Sequence, residues 1–378
     1  MTSANITMDG TSAPSTVDTV CHRNEPITFF YNASKKPLTN EWTSELKLVM
    51  GLGIIVSIFT VMANMLVMVA IYRNRRFHFP IYYLMANLAA ADFLAGLSYF
   101  YLAFNTGPET KNLTVNVWMF RQGLIDTSLT ASVANLLAIA IERHITVFQM
   151  QLHSKMSVRR VVIIIAIIWI AAIFMGAIPG MGWNCICDIK SCSTMVPLYS
   201  TSYLTFWAVS NLFVFFVMLA LYTHIFAYVR GRAARMAMHG AHLSLNSGHA
   251  TMGLLKTVSI VLGAFIVCWT PGMVILLLDV YCQACDVLYY EKYFLVLAMA
   301  NSAMNPIIYS SRDKEMRATL QRLLCCCRFK RFNEAWGRVI SSSVGDTAVD
   351  AKLNSQKRPF LTPLSKNLTQ LDEAHSIV

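Results

Sequence analysis

An all-α integral membrane fold, a seven-transmembrane helix bundle with a short amphipathic helix after the seventh span, is what this sequence predicts. Three observations predict it. Only 13% of the 378 residues are charged and 56% are apolar, with a mean hydropathy of +0.49, whereas soluble domains carry about 25% charged residues. The missing charges are missing in blocks: Leu48 to Tyr72 is 25 residues without Asp, Glu, Lys or Arg, and Ser191 to Val229 is 39. About 20 such residues cross a bilayer core as a helix. Lys and Arg, finally, collect in alternate loops. The net charge of +11, from 31 basic and 20 acidic residues, therefore points to membrane topology. A soluble enzyme, a disordered chain and a nucleic-acid binder are excluded.

Helices are the open structure that satisfies every backbone polar group inside hydrocarbon, so each apolar block is read as one. The spans run from Leu48 to Tyr72, Ile81 to Phe104, Trp118 to Arg143, Val161 to Trp183, Tyr199 to Val229, Leu254 to Leu278 and Val287 to Ser311. The first, third and fifth loops hold Arg73, Arg75, Arg76, Lys155, Arg159, Arg160, Arg230, Arg232 and Arg235, against Lys111 and Lys190 in the others. Basic loops stay in the cytoplasm, which puts the N-terminus outside a multi-pass plasma-membrane protein. Residues 1–47 contain no apolar stretch flanked like a signal peptide, so the first span is expected to serve as an uncleaved anchor. Three glycosylation sequons, at Asn5, Asn32 and Asn112, fall on the outer side, and a fourth at Asn367 falls inside and is expected to be silent.

The ten cysteines sort in the same way. Cys21, Cys185, Cys187, Cys192, Cys282 and Cys285 lie outside or at the outer rim, an even number in an oxidising compartment, and are expected to form three disulfides. Cys268 packs within a helix. Cys325, Cys326 and Cys327 follow the amphipathic stretch beginning at Arg312, where juxtamembrane cysteines are palmitoylation candidates; the bland alternative is reduced thiols. The organisation is thus an outer segment 1–47, a bundle 48–311, an amphipathic helix with its cysteines 312–327, and a disordered tail 328–378.

Ionisable residues inside a span are costly and are functional candidates by default. Asp92 sits mid-span, with Asn64, Ser132, Asn301, Ser302 and Asn305 at similar depth in other spans. They would line an oxygen-rich site for sodium, the only cofactor expected, or form a hydrogen-bonded network around a neutral Asp92. Both readings stay open, with the ion favoured. Glu142-Arg143 closes the third span, where Arg143 alone would read as a snorkelling interfacial cation. Cys268-Trp269-Thr270-Pro271 and Asn305-Pro306-Ile307-Ile308-Tyr309 put a proline, and with it a missing backbone bond, into each of the last two spans.

These strings at these depths resemble the rhodopsin-like G-protein-coupled receptors over roughly Leu48 to Leu324, with Trp169 a further shared residue. The resemblance implies a signalling switch built from Glu142, Arg143, Trp269, Pro271, Asn305, Pro306 and Tyr309. There are departures. The third span has no Cys at its outer end, the fifth has no Pro, and no acid occurs between Gly231 and Leu278 to pair Arg143 with the sixth span. Without the third-span Cys, the expected disulfides are Cys21 with Cys187, Cys185 with Cys192, and Cys282 with Cys285.

Arg121, Gln122 and Asp126 share one face of the third span near its outer end. With Lys292 and Lys36 they offer what a phosphate monoester of about −1.5 to −2 charges needs, above apolar surface from Leu129, Trp207, Met273 and Leu276 that would take an acyl chain. The bland reading has Arg121 and Lys292 snorkelling. Residues 75–83, 121–130 and Trp183-Asn184-Cys185-Ile186-Cys187 resemble the lysophosphatidic acid receptors, most of all their type 1 subtype. This second resemblance implies Arg121 and Lys292 on the phosphate, Lys36 and Tyr31 in an N-terminal cap over it, Gln122 and Asp126 as polar contacts, and Trp207 and Gly272 shaping the lipid pocket. It also implies partners: lysophosphatidic acid, arrestin, and heterotrimeric G proteins of the inhibitory, phospholipase-activating and Rho-activating classes. Pro37 and Met299 depart from that pattern, where a His and an acid are expected.

Ser376-Ile377-Val378 ends the chain in a form that PDZ domains capture as an added strand. A transporter would carry an internal repeat, and none is seen. A seven-helix hydrolase would carry a metal cluster, whereas His239, His242 and His249 sit in a Gly- and Ser-rich loop and read as solvated. The expectation is a receptor without catalysis. A sphingosine 1-phosphate receptor is the alternative within the class, and Gln122, rather than an acid, argues against it.

Overall fold

A computed structural model describes residues 21, 25–34, 36, 40–148, 157–238, 245–282, 285 and 287–325, apart from the side chains of 232–238, 245–258 and 292. Seven long helices follow one another: Ser44–Arg73, Pro80–Phe104, Val115–Phe148, Val158–Met181, Thr201–Met238, Leu245–Tyr281 and Leu288–Arg312. The first six are long and apolar enough to cross a membrane by length and composition. The seventh is diluted by Asn301, Ser302 and Asn305, which face inward and are buried. Ile163, Ile167, Ile170 and Phe174 of the fourth helix stay exposed, as apolar side chains facing hydrocarbon do.

Most helices outrun the charge-free blocks, because backbone hydrogen bonding propagates past the last apolar residue into polar first and last turns. The first helix starts at Ser44 rather than Leu48, capped by the Thr43 hydroxyl, which accepts from the Leu46 N–H at 3.2 Å. The third runs on to Phe148, five residues beyond Arg143. Three expected bounds fall outside: Trp183 follows a helix that ends at Met181, with Gly182 at φ +139°, while Tyr199 and Val287 precede theirs. The expected amphipathic helix 312–327 begins as a separate helix at 314. Asp313 breaks it from the seventh and caps it, its Oδ1 accepting from the N–H groups of Glu315 at 2.9 Å and Met316 at 3.1 Å.

Small residues bring the third and fourth helices together. A Cβ on Gly123 would press on the Gly176 carbonyl, and one on Gly176 on the Thr127 hydroxyl. A buried polar chain ties the same region: the Trp169 indole donates to Asn87 Oδ1 at 2.8 Å, Asn87 donates to Asn135 Oδ1 at 2.8 Å, and Asn135 donates to the Ala131 carbonyl at 2.8 Å. At one end of the bundle a short helix, Thr28–Ala33, seats Phe30 in the core. Ile27 donates its N–H to the Leu113 carbonyl at 2.9 Å, and Val115 donates to Glu25 at 3.2 Å. We call this the cap end and the opposite one the Arg143 end.

Candidate functional site

A cavity of about 450 Å³ opens under the cap, within the range of ligand pockets. Its floor is apolar, from Leu129, Trp207, Trp269, Met273, Leu276 and Phe294. Gly272 works through a neighbour: any Cβ there would overlap the Phe294 ring, which stands edge-on to Trp269 at 5.5 Å. The mouth is polar. Arg121 is 6% exposed, donates to the Asn105 carbonyl at 2.6 Å and lies over the Trp118 ring, 5.5 Å from its centroid. Its Nε makes no hydrogen bond, and among the described residues no carboxylate comes within ion-pair distance of it. A buried guanidinium with an unspent donor and no ion pair among the described residues is chemically suited to take an anion.

Around Arg121 the other expected residues converge. Tyr31 lines the mouth, and burial pushes its hydroxyl up to about 12, with Arg121 opposing and Glu291 adding to the shift; it therefore remains a donor. Gln122 lines the cavity one turn above Asp126. Asp126 is buried and accepts from the Tyr199 hydroxyl at 2.7 Å. Lys36 is not a bare cation: its Nζ donates to both oxygens of Glu291, at 2.8 and 3.0 Å, and to the Met195 carbonyl at 2.9 Å. Lys292 is in the seventh helix, with its side chain outside the described residues. Glu291 was legible as a charge beside Lys292, but its pairing with a residue 255 positions away was not. Tyr199 and Asp279 had no sequence signal beyond their places at span ends.

Among the described residues three disulfides are present, Cys21–Cys187, Cys185–Cys192 and Cys282–Cys285. They tie the N-terminal segment to the connection between the fourth and fifth helices, close a tight loop within that connection, and close the connection before the seventh helix. Asn32 and Asn112 are exposed; Asn5 lies outside the described residues.

Beneath the cavity, Asp92 accepts from the Ser132 hydroxyl at 3.2 Å and from the Asn305 amide at 2.7 Å. Asn64 spends its amide protons on the Thr60 and Ser302 carbonyls, at 3.0 and 3.1 Å, and its buried Oδ1 has no donor. Asn301 and Ser302 are buried alongside. A carboxylate, hydroxyls and an orphaned amide oxygen are the ligand types a sodium ion takes, so the residues fit one. The hydrogen bonds to Asp92 serve the network reading equally. At the Arg143 end, Arg143 donates to its neighbour Glu142 through Nε at 2.5 Å and a terminal nitrogen at 2.7 Å. Trp269 and Tyr309 are buried, and Pro271 and Pro306 lie inside the last two long helices. Cys325 is exposed with a free thiol; Cys326, Cys327, His239, His242 and the terminal Ser376-Ile377-Val378 lie outside the described residues.

Six of the seven long helices line a cavity with a polar mouth and an apolar floor, the build of a membrane receptor, and the family model of the 7 transmembrane receptor (rhodopsin family) matches residues 63–309. Lysophosphatidic acid receptor 1 of Homo sapiens is 70% identical over 308 residues, 82% of this chain and 84% of that protein. Lysophosphatidic acid receptor 1-B of Xenopus laevis is 67% identical over 326 residues, 86% and 88% of the two chains. Lysophosphatidic acid receptor 3 of Mus musculus is 51% identical over 308 residues, 81% and 87%. The chain belongs to the rhodopsin family of seven-transmembrane receptors, among the lysophosphatidic acid receptors.

Proposed function

We propose that this protein is a plasma-membrane receptor that binds lysophosphatidic acid under the cap, with the cap end outside the cell, and passes the binding event to heterotrimeric G proteins. The observation that carries the reading is Arg121: a buried guanidinium without a carboxylate partner among the described residues, at the mouth of an apolar cavity. The phosphate completes Arg121, with Tyr31 and the Lys36 ammonium as further donors and Lys292 adding charge. The acyl chain descends toward Trp207 and Trp269. Gln122 meets the neutral glycerol hydroxyl as donor or acceptor. Sphingosine 1-phosphate presents an ammonium instead, and opposite a neutral amide that group loses its counter-charge on leaving water.

Ligand shifts a population toward a state in which the fifth and sixth helices open at the Arg143 end, through Trp269, Pro271, the Asp92–Asn305 bond, Pro306 and Tyr309. Coupling to the inhibitory, phospholipase-activating and Rho-activating G proteins, arrestin binding, and PDZ capture of Ser376-Ile377-Val378 belong to the same reading, as do acylation of Cys325, Cys326 and Cys327 and glycosylation at Asn5, Asn32 and Asn112. A sodium ion beside Asp92 would stabilise the resting state; loss of all sodium dependence of agonist affinity in Asp92→Asn is expected, and a parent protein insensitive to sodium refutes it. The deciding experiment is nucleotide exchange driven by lysophosphatidic acid and by sphingosine 1-phosphate side by side. A preference for the second overturns the ligand assignment.

A further inference from the structure

One side of the cavity mouth is closed by a run of hydrogen bonds that crosses four segments. Asp279, in the last turn of the sixth helix, accepts through a single oxygen from the Ser193 hydroxyl at 2.5 Å and from the Met195 N–H at 3.2 Å. Ser193 is 2% exposed, and its oxygen accepts in turn from the Val196 N–H at 2.9 Å. Met195, itself buried, uses its carbonyl to hold the Lys36 ammonium at 2.9 Å, and the same ammonium bridges to Glu291 on the seventh helix. The order is therefore sixth helix, inter-helix connection, cap, seventh helix. Met195, Lys36 and Glu291 line the cavity, while Asp279 and Ser193 stand behind them.

We propose that Asp279 is a positioning residue for ligand capture: by fixing the backbone at Met195 it sets where the Lys36 ammonium stands, although it touches neither Lys36 nor the ligand. The inference rests on the functional reading above. A lysine side chain has four rotatable bonds and a large rotamer entropy, so a cation that must meet a phosphate is useful only if something holds it near the mouth. Glu291 alone gives one direction of hold. The Met195 carbonyl gives the second, and it is itself held because both the N–H of the same residue and the neighbouring Ser193 hydroxyl end on Asp279. A bond in which one partner is charged is roughly twice as strong as a neutral one, which favours a carboxylate as the anchor. Without it the connection is free to move and the ammonium with it, and preorganisation is lost.

The test uses the full-length receptor in membranes, with Asp279→Ala, Asp279→Asn, Lys36→Ala and the double variant Asp279→Ala with Lys36→Ala. Asp279→Ala should raise the half-maximal lysophosphatidic acid concentration by about tenfold with the maximal response kept. Asp279→Asn, whose amide oxygen still accepts both bonds, should restore most of the potency. In the Lys36→Ala background Asp279→Ala should cost nothing further, a non-additivity expected of residues acting in series. Additive losses overturn the proposal, and so does an unchanged potency in Asp279→Ala. If Asp279→Ala fails to reach the surface, Ser193→Ala removes one of the two bonds to Asp279 and leaves that of the Met195 N–H, so a smaller loss of potency is expected, again with nothing further lost in the Lys36→Ala background; an unchanged potency or an additive loss overturns the proposal. Hydrogen exchange without ligand separates this inference from the functional reading. Asp279→Ala should raise exchange both at 193–196 and in the cap at 28–34, whereas a rise confined to 193–196 refutes the link. A parent protein deaf to lysophosphatidic acid would sink the ligand assignment while leaving the exchange result to decide the link.

Discussion

The two ends of the bundle are held in different ways. At the cap end the Cys21–Cys187 disulfide, the Lys36–Glu291 pair and the Asp279 anchor join segments that are far apart in sequence, and two local disulfides stiffen the connections between them. At the Arg143 end the shortest ion pair among the described residues joins neighbours on one helix, Glu142 and Arg143. The sixth helix meets it without an acid, since none occurs between Gly231 and Leu278. The first helix and the helix at 314–325 are tied by Asn74 and Arg76 to Glu315, whose carboxyl is held below the usual range chiefly by the Asn74 amide. Among the described residues no ion pair joins the third and sixth helices. A receptor needs such an asymmetry. The end that recognises the ligand gains affinity from rigidity, and the end that signals must move between states differing by a few kcal/mol.

The largest effect should come from removing the proposed phosphate contact at the rigid end. Arg121→Ala should lower lysophosphatidic acid potency by one to several powers of ten, at about 1.4 kcal/mol each, with surface expression unchanged. Arg121→Lys should recover little of it, because an ammonium cannot make the paired bonds of a guanidinium. A normal response in radioligand or exchange assays would move the phosphate site elsewhere. Next in size is Gln122→Glu, which should shift the ratio of potencies toward sphingosine 1-phosphate by about tenfold or more, through a new partner for its ammonium and repulsion of the phosphate. An unmoved ratio would show that the contrast between the two lipids is read at another residue.

The sequence carried these residues unevenly. The seven spans were legible because charge is excluded from hydrocarbon over whole blocks, and their ends were not, because helix ends answer to caps such as Thr43 and Asp313. Arg121, Gln122 and Asp126 share a helix face, so their convergence followed from helical spacing. Lys36 and Glu291 come from segments separated by six of the long helices, and only the folded chain shows that they pair. Trp169 was visible as a shared residue, but its partner Asn87 lay in a different span with nothing to mark it. What was missed is mostly long-range and polar, where periodicity says nothing.

The covalent tie of the cap offers a smaller and sharper probe. Cys21→Ser with Cys187→Ser removes the link between the N-terminal segment and the fourth connection while leaving the Ile27–Leu113 and Lys36–Glu291 bonds. Those bonds should keep the cap near the mouth for part of the time. A loss of about three- to tenfold in potency is expected, from lost preorganisation, with a faster ligand off-rate as its kinetic signature. No change in off-rate would mean that the noncovalent bonds suffice and the rigidity of this end does not depend on the disulfide.

The smallest effect should appear at the other end, and it concerns the resting state. Glu142 and Arg143 are 5% and 7% exposed and face each other with two short hydrogen bonds. Each therefore satisfies a charge that would otherwise be buried alone. Glu142→Gln keeps the shape and one acceptor but leaves the guanidinium charge without its counter-charge. An arrangement that opens this end to water relieves that cost, so the open state gains relative to the closed one. The gain is bounded, because the guanidinium keeps a hydrogen bond to the remaining amide oxygen. About 0.5 kcal/mol would slightly more than double the open population. Ligand-independent nucleotide exchange should rise roughly two- to threefold, and lysophosphatidic acid potency should increase by a similar factor, since a larger competent fraction lowers the apparent Kd in proportion. The two changes must move together. A rise in basal exchange with no gain in potency would mean that the pair acts on the G protein contact itself rather than on the balance between the two states.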